Sequence, residues 1–283
     1  MTIVDAHHHL WDLDRRSYAF LEPPEYHAIA RTFGPADLVA AVGRERVVQT
    51  VVIQAAPDVR ETDELLDVAA ATPLISAVVG WIDFDANDPA AQLERLLAHQ
   101  SSRMLVGIRA MAQDHPRADW LSSNAVVRSA AAIGAAGLVC ELLIRPRELA
   151  AARALVTRLP GVSFVIDHAA KPPIASGSIE PWGTAIRALA SSPNTACKIS
   201  GLITEANWSS WTTAQIAPFV DIAADAFGED RLLFGSDWPV CLLAGAYSDP
   251  LEVARQTLGG LSPDKIFAAN ARRTYGLPAP VSQ

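Results

Sequence analysis

The sequence predicts an α/β protein built as a single (β/α)8 barrel over residues 1–283, on three observations. Short runs rich in Val, Ile and Leu recur at intervals of roughly thirty residues, the spacing of βα units. Most of these runs are continuously apolar, as expected of parallel strands covered on both faces. Helical patterns fill the intervals, and no linker-like segment divides the chain. A doubly wound open sheet is the alternative, but it favours a glycine-rich turn after the first strand, where this chain has histidines.

Eight strands are predicted, and each begins one βα unit. In chain order they span residues 2–9, 47–55, 75–84, 104–111, 137–144, 162–170, 195–203 and 231–240. The longest irregular stretch, residues 11–35, follows the first of them. In a barrel this stretch is the first βα loop, which lies on the face where barrel enzymes carry their active sites.

The intervals between the strands carry helical patterns with recognisable ends. Residues 60–72, RETDELLDVAAAT, place Leu65 and Ala69 on one side and acidic residues early, which suits the helix dipole. The last helix is predicted to begin at Ser262, whose hydroxyl can cap it, and to end at Gly276. These ends support a regular alternation of strands and helices.

The composition narrows the classes of partner and of site. Half of the residues are hydrophobic, and the formal net charge is −8 without a dense Lys/Arg cluster, which argues against nucleic acid or an anionic membrane as a partner. A small molecule is the expected partner. Cys140, Cys197 and Cys241 are odd in number, far apart and set in apolar runs, so we expect buried free thiols.

The compartment is predicted from the N-terminal sequence and the apolar windows. The first residues, MTIVDAHHH, have neither the basic nor the apolar region of a secretory signal. The most apolar window, residues 129–144, is shorter than a bilayer span and contains Glu141. We therefore expect a soluble cytoplasmic protein, and the sequence leaves a homodimer open.

Three consecutive histidines stand in the first predicted strand, within VDAHHHLWD (residues 4–12). Alternate side chains of a strand share a face, so His7 and His9 should point one way, together with Asp5, and His8 the other. Paired imidazoles on one face suit a metal ion or a polarised carbonyl. Two histidines are only half of such a site.

Other predicted strands end in polar residues that could complete the site. Burying charged or imidazole groups costs free energy, so a purely structural core rarely contains them. Each taken singly has an ordinary explanation as a hydrogen-bonded core residue, an ion-pair partner or a turn cap. Together on one rim of a barrel they predict an active site, formed by His7, His9, Arg109, Glu141, His168, Lys171, Asp237 and Trp238.

This set of residue types points to activation of water and of a carbonyl group. An aspartate can accept the proton of an attacking water while imidazoles, or a metal that they hold, polarise the C=O bond. Two or three nitrogen ligands, a carboxylate and one open position are typical of catalytic zinc. The sequence has no glycine-rich phosphate loop and no G-x-S-x-G motif, which argues against nucleotide chemistry and a serine triad.

Seven motifs in order resemble the amidohydrolase-related (type 2) family of the amidohydrolase superfamily, and within it the sugar-lactonase branch of the L-fuconolactonase and L-rhamnonolactonase type. The likeness runs from residue 3 to about residue 277 and implies a (β/α)8 barrel with its active site at the strand C-termini. DHAAKP and FGSDWPV in this order are specific, whereas His-x-His alone is weak. The motifs are DAHHHLWD, ETDELLDVA, VVGWIDF, VGIRAM, DHAAKPPI, CKISGLITEANW and RLLFGSDWPVC.

The resemblance implies roles for individual residues. His7 and His9 match the family's His-x-His, His168 its later histidine, and Asp237 the aspartate that activates the hydrolytic water. Glu141 matches an acidic position on the fifth strand that would ligate a metal or accept a hydrogen bond from a substrate hydroxyl.

Substrate contacts follow from the remaining polar and aromatic residues. Arg109 matches the family, whereas Ala110 replaces a frequent histidine, which should widen the pocket or remove a hydrogen bond and so bear on the substrate rather than on the reaction. Arg109 and Lys171 are expected to bind substrate hydroxyls or a carboxylate. Aromatic faces for a sugar ring would come from Trp11, Trp81 and Trp238.

The metal content is open between one zinc ion and none. The sequence lacks the strand-4 lysine that bridges two metals in the superfamily, so a binuclear centre is not expected. A single zinc would be held by His7, His9, Glu141 and Asp237. Modest acid–base help with positioning also suffices for a reactive lactone, which makes a metal-free route reasonable.

The predicted reaction is hydrolysis of a small lactone, above all a sugar-derived aldonolactone, to its hydroxy acid by water that Asp237 activates. Two alternatives remain. A metal-dependent non-oxidative decarboxylase of the same family would use the same ligands to hold an aromatic acid. A non-catalytic carbohydrate-binding barrel would have lost the chemistry, although His7, His9, His168 and Asp237 are all retained.

Overall fold

The structure, a computed structural model, describes residues 2–279. Eight parallel strands pair with their neighbours strictly in chain order, each strand with the next. Each predicted strand is present. The strands are β1 Ile3–His8, β2 Val47–Ile53, β3 Ile75–Gly80, β4 Leu105–Met111, β5 Val139–Leu143, β6 Phe164–Ile166, β7 Thr195–Ile199 and β8 Leu232–Phe234.

The sheet closes just beyond the end of β8. There the backbone N–H of Asp237 donates to the carbonyl oxygen of His7 at 2.8 Å, and that of His9 donates to Trp238 O at 2.6 Å. A parallel bridge also joins His8 to Trp238. The predicted barrel is thereby confirmed, and the open-sheet alternative is wrong.

Helices follow the strands and cover the outside of the barrel. In the second unit Asp58 caps α2 (Val59–Ala71) by accepting from the backbone N–H of Arg60, and Leu65 and Ala69 are buried on the side that the sequence predicts. At the C-terminus Gly276 ends α9 with a φ of 61°, as predicted. The α-helices are α1 Pro35–Val42, α2 Val59–Ala71, α3 Pro89–Leu97, α4 Asn124–Ala135, α5 Leu149–Arg158, α6 Trp182–Ala190, α7 Thr213–Phe227, α8 Ser248–Thr257 and α9 Asn270–Tyr275, the last preceded by a π-helix over Lys265–Ala269.

Most strands are shorter than predicted, and the largest differences are at their C-terminal ends. β6 was expected to run to residue 170 and β8 to residue 240, but they end at Ile166 and Phe234. Residues 168–171 and Asp237 all have φ between 49° and 60°, which a β-strand does not allow. His168, Lys171 and Asp237 therefore lie on tight turns just past their strands, whereas His7, Arg109 and Glu141 lie on strands.

Two apolar layers hold the fold together. Small and branched side chains fill the barrel interior. A larger layer packs between the strands and the helices and includes the buried Cys140, Cys197 and Cys241. All three cysteines are free, as predicted. Among residues 2–279, no helix is both long and apolar enough to cross a membrane.

Candidate active site

Four of the predicted residues meet at the C-terminal end of the barrel. The Oδ1 atom of Asp237 lies 3.5 Å from Nε2 of His9, 3.6 Å from Nε2 of His7 and 3.9 Å from Nε2 of His168. The four side chains are buried. They come from β1, from the residue just past its end and from the turns after β6 and β8, so the barrel brings together residues that are up to 230 positions apart in the chain.

Hydrogen bonds at the far side of two rings direct their Nε2 atoms into the site. Nδ1 of His9 lies 2.8 Å from the carbonyl oxygen of Ile53, at the end of β2. Nδ1 of His168 lies 2.8 Å from the hydroxyl oxygen of Ser200, just after β7. Both contacts fix ring orientation as partners of functional histidines do.

The electrostatics of the cluster favour neutral imidazoles beside an ionised carboxylate. Burial lowers the pKa of His168 to about 4, although Asp237 opposes the shift, and burial also holds the pKa of His7 well below its usual range. Burial works against ionisation of Asp237, but His168, His9 and His7 outweigh it and hold the pKa of that carboxyl below its usual range. At neutral pH Asp237 can therefore accept a proton.

Two glycines allow the backbones to approach these side chains. A Cβ at Gly201, whose φ is 64°, would lie 2.6 Å from Nδ1 of His168 and 3.0 Å from Oδ2 of Asp237. A Cβ at Gly235 would lie 2.6 Å from the Cβ of His7. Any larger residue at either position would displace the site.

A buried ionic cluster lies beneath His7, and the sequence analysis missed most of it. Nζ of Lys198, on β7, lies 2.7 Å from Oε2 of Glu141, 3.1 Å from Oδ1 of Asp167 and 3.2 Å from Nδ1 of His7. Lys198 and Asp167 are fully buried. An isolated lysine inside the apolar strand TACKI was the signal that could have indicated it.

Glu141 lies with this ionic cluster and not beside Asp237. Its Oε2 accepts from Lys198, and its Oε1 accepts from the hydroxyl of Tyr275. Burial raises the pKa of Glu141 to about 7, against the opposing charge of Lys198. With both oxygens engaged on the far side of His7, Glu141 is not joined to the predicted zinc ligands His9 and Asp237.

Arg109 is held at the edge of the site by a residue that was not predicted, Gln54. Its Nη2 donates to the backbone oxygen of Gln54 and, at 3.1 Å, to Oε1 of the same side chain, while Nη1 lies 3.4 Å from Oδ2 of Asp167. Within residues 2–279, Nε of Arg109 and Nε2 of Gln54 are buried donors without an acceptor.

The other predicted substrate residues lie further out or in the core. Lys171 lies on the positive-φ turn after β6 and pairs with Glu205 at 3.2 Å. Trp11 and Trp238 are 2% exposed and pack edge-to-face against Phe33. Neither indole therefore offers an open face to a sugar ring.

Two predictions about β1 and β4 are wrong in detail. The pairing of β1 with β2 shifts register between Asp5 and His8, and the Asp5 carboxylate bonds Ser236 and Tyr247 instead of joining the histidines. His8 points away from the cluster, as predicted, and contacts Thr50 Oγ1 at 3.0 Å. Ala110 is fully buried in the layer between strands and helices, so it does not widen the site.

The donor set at the centre fits a single divalent metal ion. His7, His168 and Asp237 each offer an atom, and these atoms lie within 4.8 Å of one another. Two neutral imidazoles and a carboxylate, with a position left for water, match the ligands of catalytic zinc.

Known proteins share this chain's sequence and fold over nearly its whole length. The amidohydrolase family model matches residues 4–277. An L-fucono-1,5-lactonase of Burkholderia ambifaria is 39% identical over 98% of this chain and 96% of the relative, and one of Burkholderia multivorans is 32% identical over 98% and 97%. A crystal structure of a Burkholderia multivorans amidohydrolase with bound zinc has a TM-score of 0.92 at 31% identity and covers 98% of this chain and all of its own. The chain belongs to the amidohydrolase family.

Proposed function

We propose that this protein hydrolyses a small sugar-derived lactone to its hydroxy acid. The observation that carries the proposal is the position of the ionised Asp237, with Nε2 atoms of three histidines within 3.9 Å of its Oδ1. The two relatives named L-fucono-1,5-lactonase support an aldonolactone as the substrate class. They favour hydrolysis over decarboxylation and over a purely binding barrel.

The chemistry assigns one task to each side chain of the cluster. Asp237 accepts the proton of a water molecule that attacks the lactone carbonyl, and the resulting tetrahedral intermediate carries negative charge on oxygen. His7 lies where an N–H at its Nε2 can polarise that carbonyl, whereas His9, whose Nδ1 donates to the carbonyl oxygen of Ile53, presents a lone pair on Nε2. When the Ser200 hydroxyl donates to Nδ1 of His168, the ring carries its proton on Nε2 and can donate it to the leaving alkoxide.

A divalent ion would be held by His7, His168 and Asp237, whose ligand atoms converge; those of His7, Glu141 and Asp167 also converge, but Lys198 lies among them. Zinc at this position would polarise the carbonyl and acidify water. The proton transfers assigned to Asp237 and His168 need only the chain's own residues.

We propose that two buried hydrogen-bond donors beside the cluster, both without an acceptor among the described residues, bind the substrate. Nε of Arg109 and Nε2 of Gln54 have no acceptor among the described residues, although both are buried. Leaving a buried donor unpaired costs about 1–3 kcal/mol, so the hydroxyl or ring oxygen atoms of an aldonolactone would relieve that cost on binding. Lys171 reaches the same face from the turn after β6.

The composition and fold also support a cytoplasmic enzyme that acts on a small molecule, with no nucleic acid or membrane partner. A homodimer is compatible with the sequence and is proposed as a state to be measured. Size-exclusion chromatography with light scattering would decide between a monomer and a dimer.

A proton-release assay against a panel of aldonolactones tests the proposed reaction. The protein is assayed as purified and after chelation, with its metal content measured in parallel. Turnover of one or two lactones is expected. Release of CO2 from an aromatic acid without any lactone turnover would establish the decarboxylase instead, and lactone binding without turnover would establish the binding barrel.

A further inference from the structure

The ammonium of Lys198 is enclosed beneath His7 by three acceptor atoms. The contacts to Oε2 of Glu141 at 2.7 Å and to Nδ1 of His7 at 3.2 Å have hydrogen-bond geometry. Oδ1 of Asp167 is 3.1 Å from Nζ but lies off the direction of a hydrogen bond, and no described residue donates to it. A lysine ammonium has donors only, so Nδ1 of His7 accepts in this contact and carries no proton.

His9 leads to the same conclusion through a separate set of atoms. The carbonyl oxygen of Ile53, 2.8 Å from Nδ1 of His9, can only accept, so His9 is protonated at Nδ1 and its Nε2 carries a lone pair. Nε2 of His7 lies 3.1 Å from Nε2 of His9. Two lone pairs at this distance would repel, so the hydrogen between the two rings belongs to His7.

From these two contacts we infer that Lys198 holds His7 in the tautomer protonated at Nε2, so that His7 presents a donor to the site. The N–H faces Nε2 of His9 and, at 3.6 Å, Oδ1 of Asp237. A lactone carbonyl that takes the place of His9 as acceptor receives this hydrogen bond. The catalytic role of this N–H rests on the proposed lactone hydrolysis, but the inferred position of the proton on His7 does not.

The same contact opposes a metal ion at His7. A histidine that ligates through Nε2 must have a lone pair there, so its proton must move to Nδ1 and find an acceptor. Oδ1 of Asp167 lies 3.4 Å from Nδ1 and could accept it, but Lys198 occupies that nitrogen. Zinc binding therefore has to break the contact between Lys198 and His7. Lys198 is a positioning residue that shifts the site toward its metal-free form.

Long-range 1H–15N NMR spectra of histidine-labelled protein read the tautomer directly. The spectra are recorded after chelation and without substrate, and His7→Asn identifies the His7 signals. Protonated Nε2 and unprotonated Nδ1 are expected for His7. A proton on Nδ1 overturns the inference, whatever the activity. The expected tautomer in a protein that turns over no lactone would leave this inference standing and remove the proposed function alone.

Lys198→Met tests the cause of the tautomer with a side chain of similar length. Because the lone pair on Nε2 of His9 still favours a hydrogen on Nε2 of His7, the Nδ1-protonated form of His7, directed at Asp167, is expected to appear beside the Nε2-protonated form. Zinc affinity in a competition titration should rise about tenfold or more, the range in which partners of metal-binding histidines act. Lys265→Met is the matched control, because that ammonium pairs with Glu229 at the surface. An unchanged tautomer together with unchanged zinc affinity would overturn the role of Lys198.

Two further measurements separate positioning from general damage. Lys198→Met leaves Glu141 buried without its partner, so the double variant Lys198→Met/Glu141→Gln removes both charges and is expected to fold and to show the same tautomer change. In the chelated enzyme kcat should fall with the fraction of His7 that has lost its Nε2 proton, up to the cost of about 10²-fold for one lost oxyanion donor, with a smaller change in KM. A variant with the changed tautomer and full kcat would contradict donation by His7. If neither variant folds, the tautomer of the unsubstituted protein decides.

Discussion

Asp237 and His7 are joined through their backbones, since the N–H of Asp237 donates to the carbonyl oxygen of His7 with 2.8 Å between N and O. This hydrogen bond also closes the barrel between its last and first strands. Asp237 has a φ of 55°, a conformation that costs a non-glycine residue about 1–3 kcal/mol. Barrel closure therefore fixes the position of the proposed base, and the neighbouring contacts offset its strain.

Asp237→Asn should abolish most turnover while the protein still binds its substrate. The amide cannot accept the proton of the attacking water, so kcat should fall about 10²–10⁴-fold, the range of general-base contributions. Steady-state kinetics and calorimetric titration with the hydroxy acid measure the two effects. Asp230→Asn, at an exposed ion pair with Lys265, is the control. Turnover that persists in Asp237→Asn would show that another group is the base.

Gly201→Ala should lower both stability and kcat, for two separate reasons. The positive φ of 64° destabilises any residue with a side chain by about 1 kcal/mol, and the new Cβ would lie 2.6 Å from Nδ1 of His168. Gly177→Ala is a matched control, because its φ is 67° and no described atom lies within 4 Å of the added Cβ.

Gly201→Ala should lose more free energy of unfolding than Gly177→Ala in urea titrations, because only its Cβ clashes with buried side chains, and only Gly201→Ala should lose kcat, by about tenfold or more. Equal kinetic losses in the two variants would mean that the contact with His168 does not matter. Equal kcat values in the two variants, with a lower stability of Gly201→Ala, would mean that the added Cβ disturbs residues other than the catalytic ones.

The fold could be predicted because a parallel barrel repeats one pattern. Eight apolar runs at the βα spacing gave every strand, including β6 and β8, which have only three residues each. For both of these strands the predicted C-terminal end lies beyond the observed one. Positive φ at residues 168–171 and at Asp237 depends on contacts between distant strands, which local sequence does not encode.

The candidate site was only partly predictable for a related reason. His7, His9, His168 and Asp237 stand where apolar strands end, and such a position is visible in the sequence. Lys198 lies inside a strand, and its meaning depends on Glu141, which is 57 positions away. Asp5 was placed with the histidines because a regular strand alternates, but a register shift before His8 breaks that alternation.

Ser236→Ala should loosen the turn that carries Asp237. The Ser236 hydroxyl donates to Oδ2 of Asp5 at 2.6 Å and accepts from the backbone N–H of Trp238 at 3.1 Å. Losing both leaves buried groups unpaired, which should cost about 1–3 kcal/mol of unfolding free energy and lower kcat about tenfold.

Tyr247→Phe is the matched variant for Ser236→Ala, because the tyrosine hydroxyl donates to the same Asp5 oxygen at 2.8 Å but, unlike the Ser236 hydroxyl, does not accept from the backbone N–H of Trp238. Its stability should fall by a similar amount while kcat stays near that of the unsubstituted enzyme. Urea titration and steady-state kinetics on the same preparations separate the effects. A comparable kcat loss in both variants would show that Asp5 acts on the site by another path.

His8 should make the protein less stable as the pH falls. Burial, with a smaller effect of neighbouring His9, lowers the pKa of His8 from 6.5 to about 3, so below pH 6.5 the unfolded chain binds a proton that the folded chain does not. Stability from this group is complete above pH 6.5 and falls by up to about 1.4 kcal/mol per pH unit toward pH 3.

His8→Gln should therefore reduce the acid-side slope of unfolding free energy between pH 5 and 6.5. Glu61, whose pKa burial raises to about 7, has the opposite slope but is present in both proteins and cancels in the difference. Urea titrations in half-unit pH steps measure it, with His27→Gln at an exposed position as the control. Parallel curves for the unsubstituted protein and His8→Gln would mean that His8 is not held neutral in the fold.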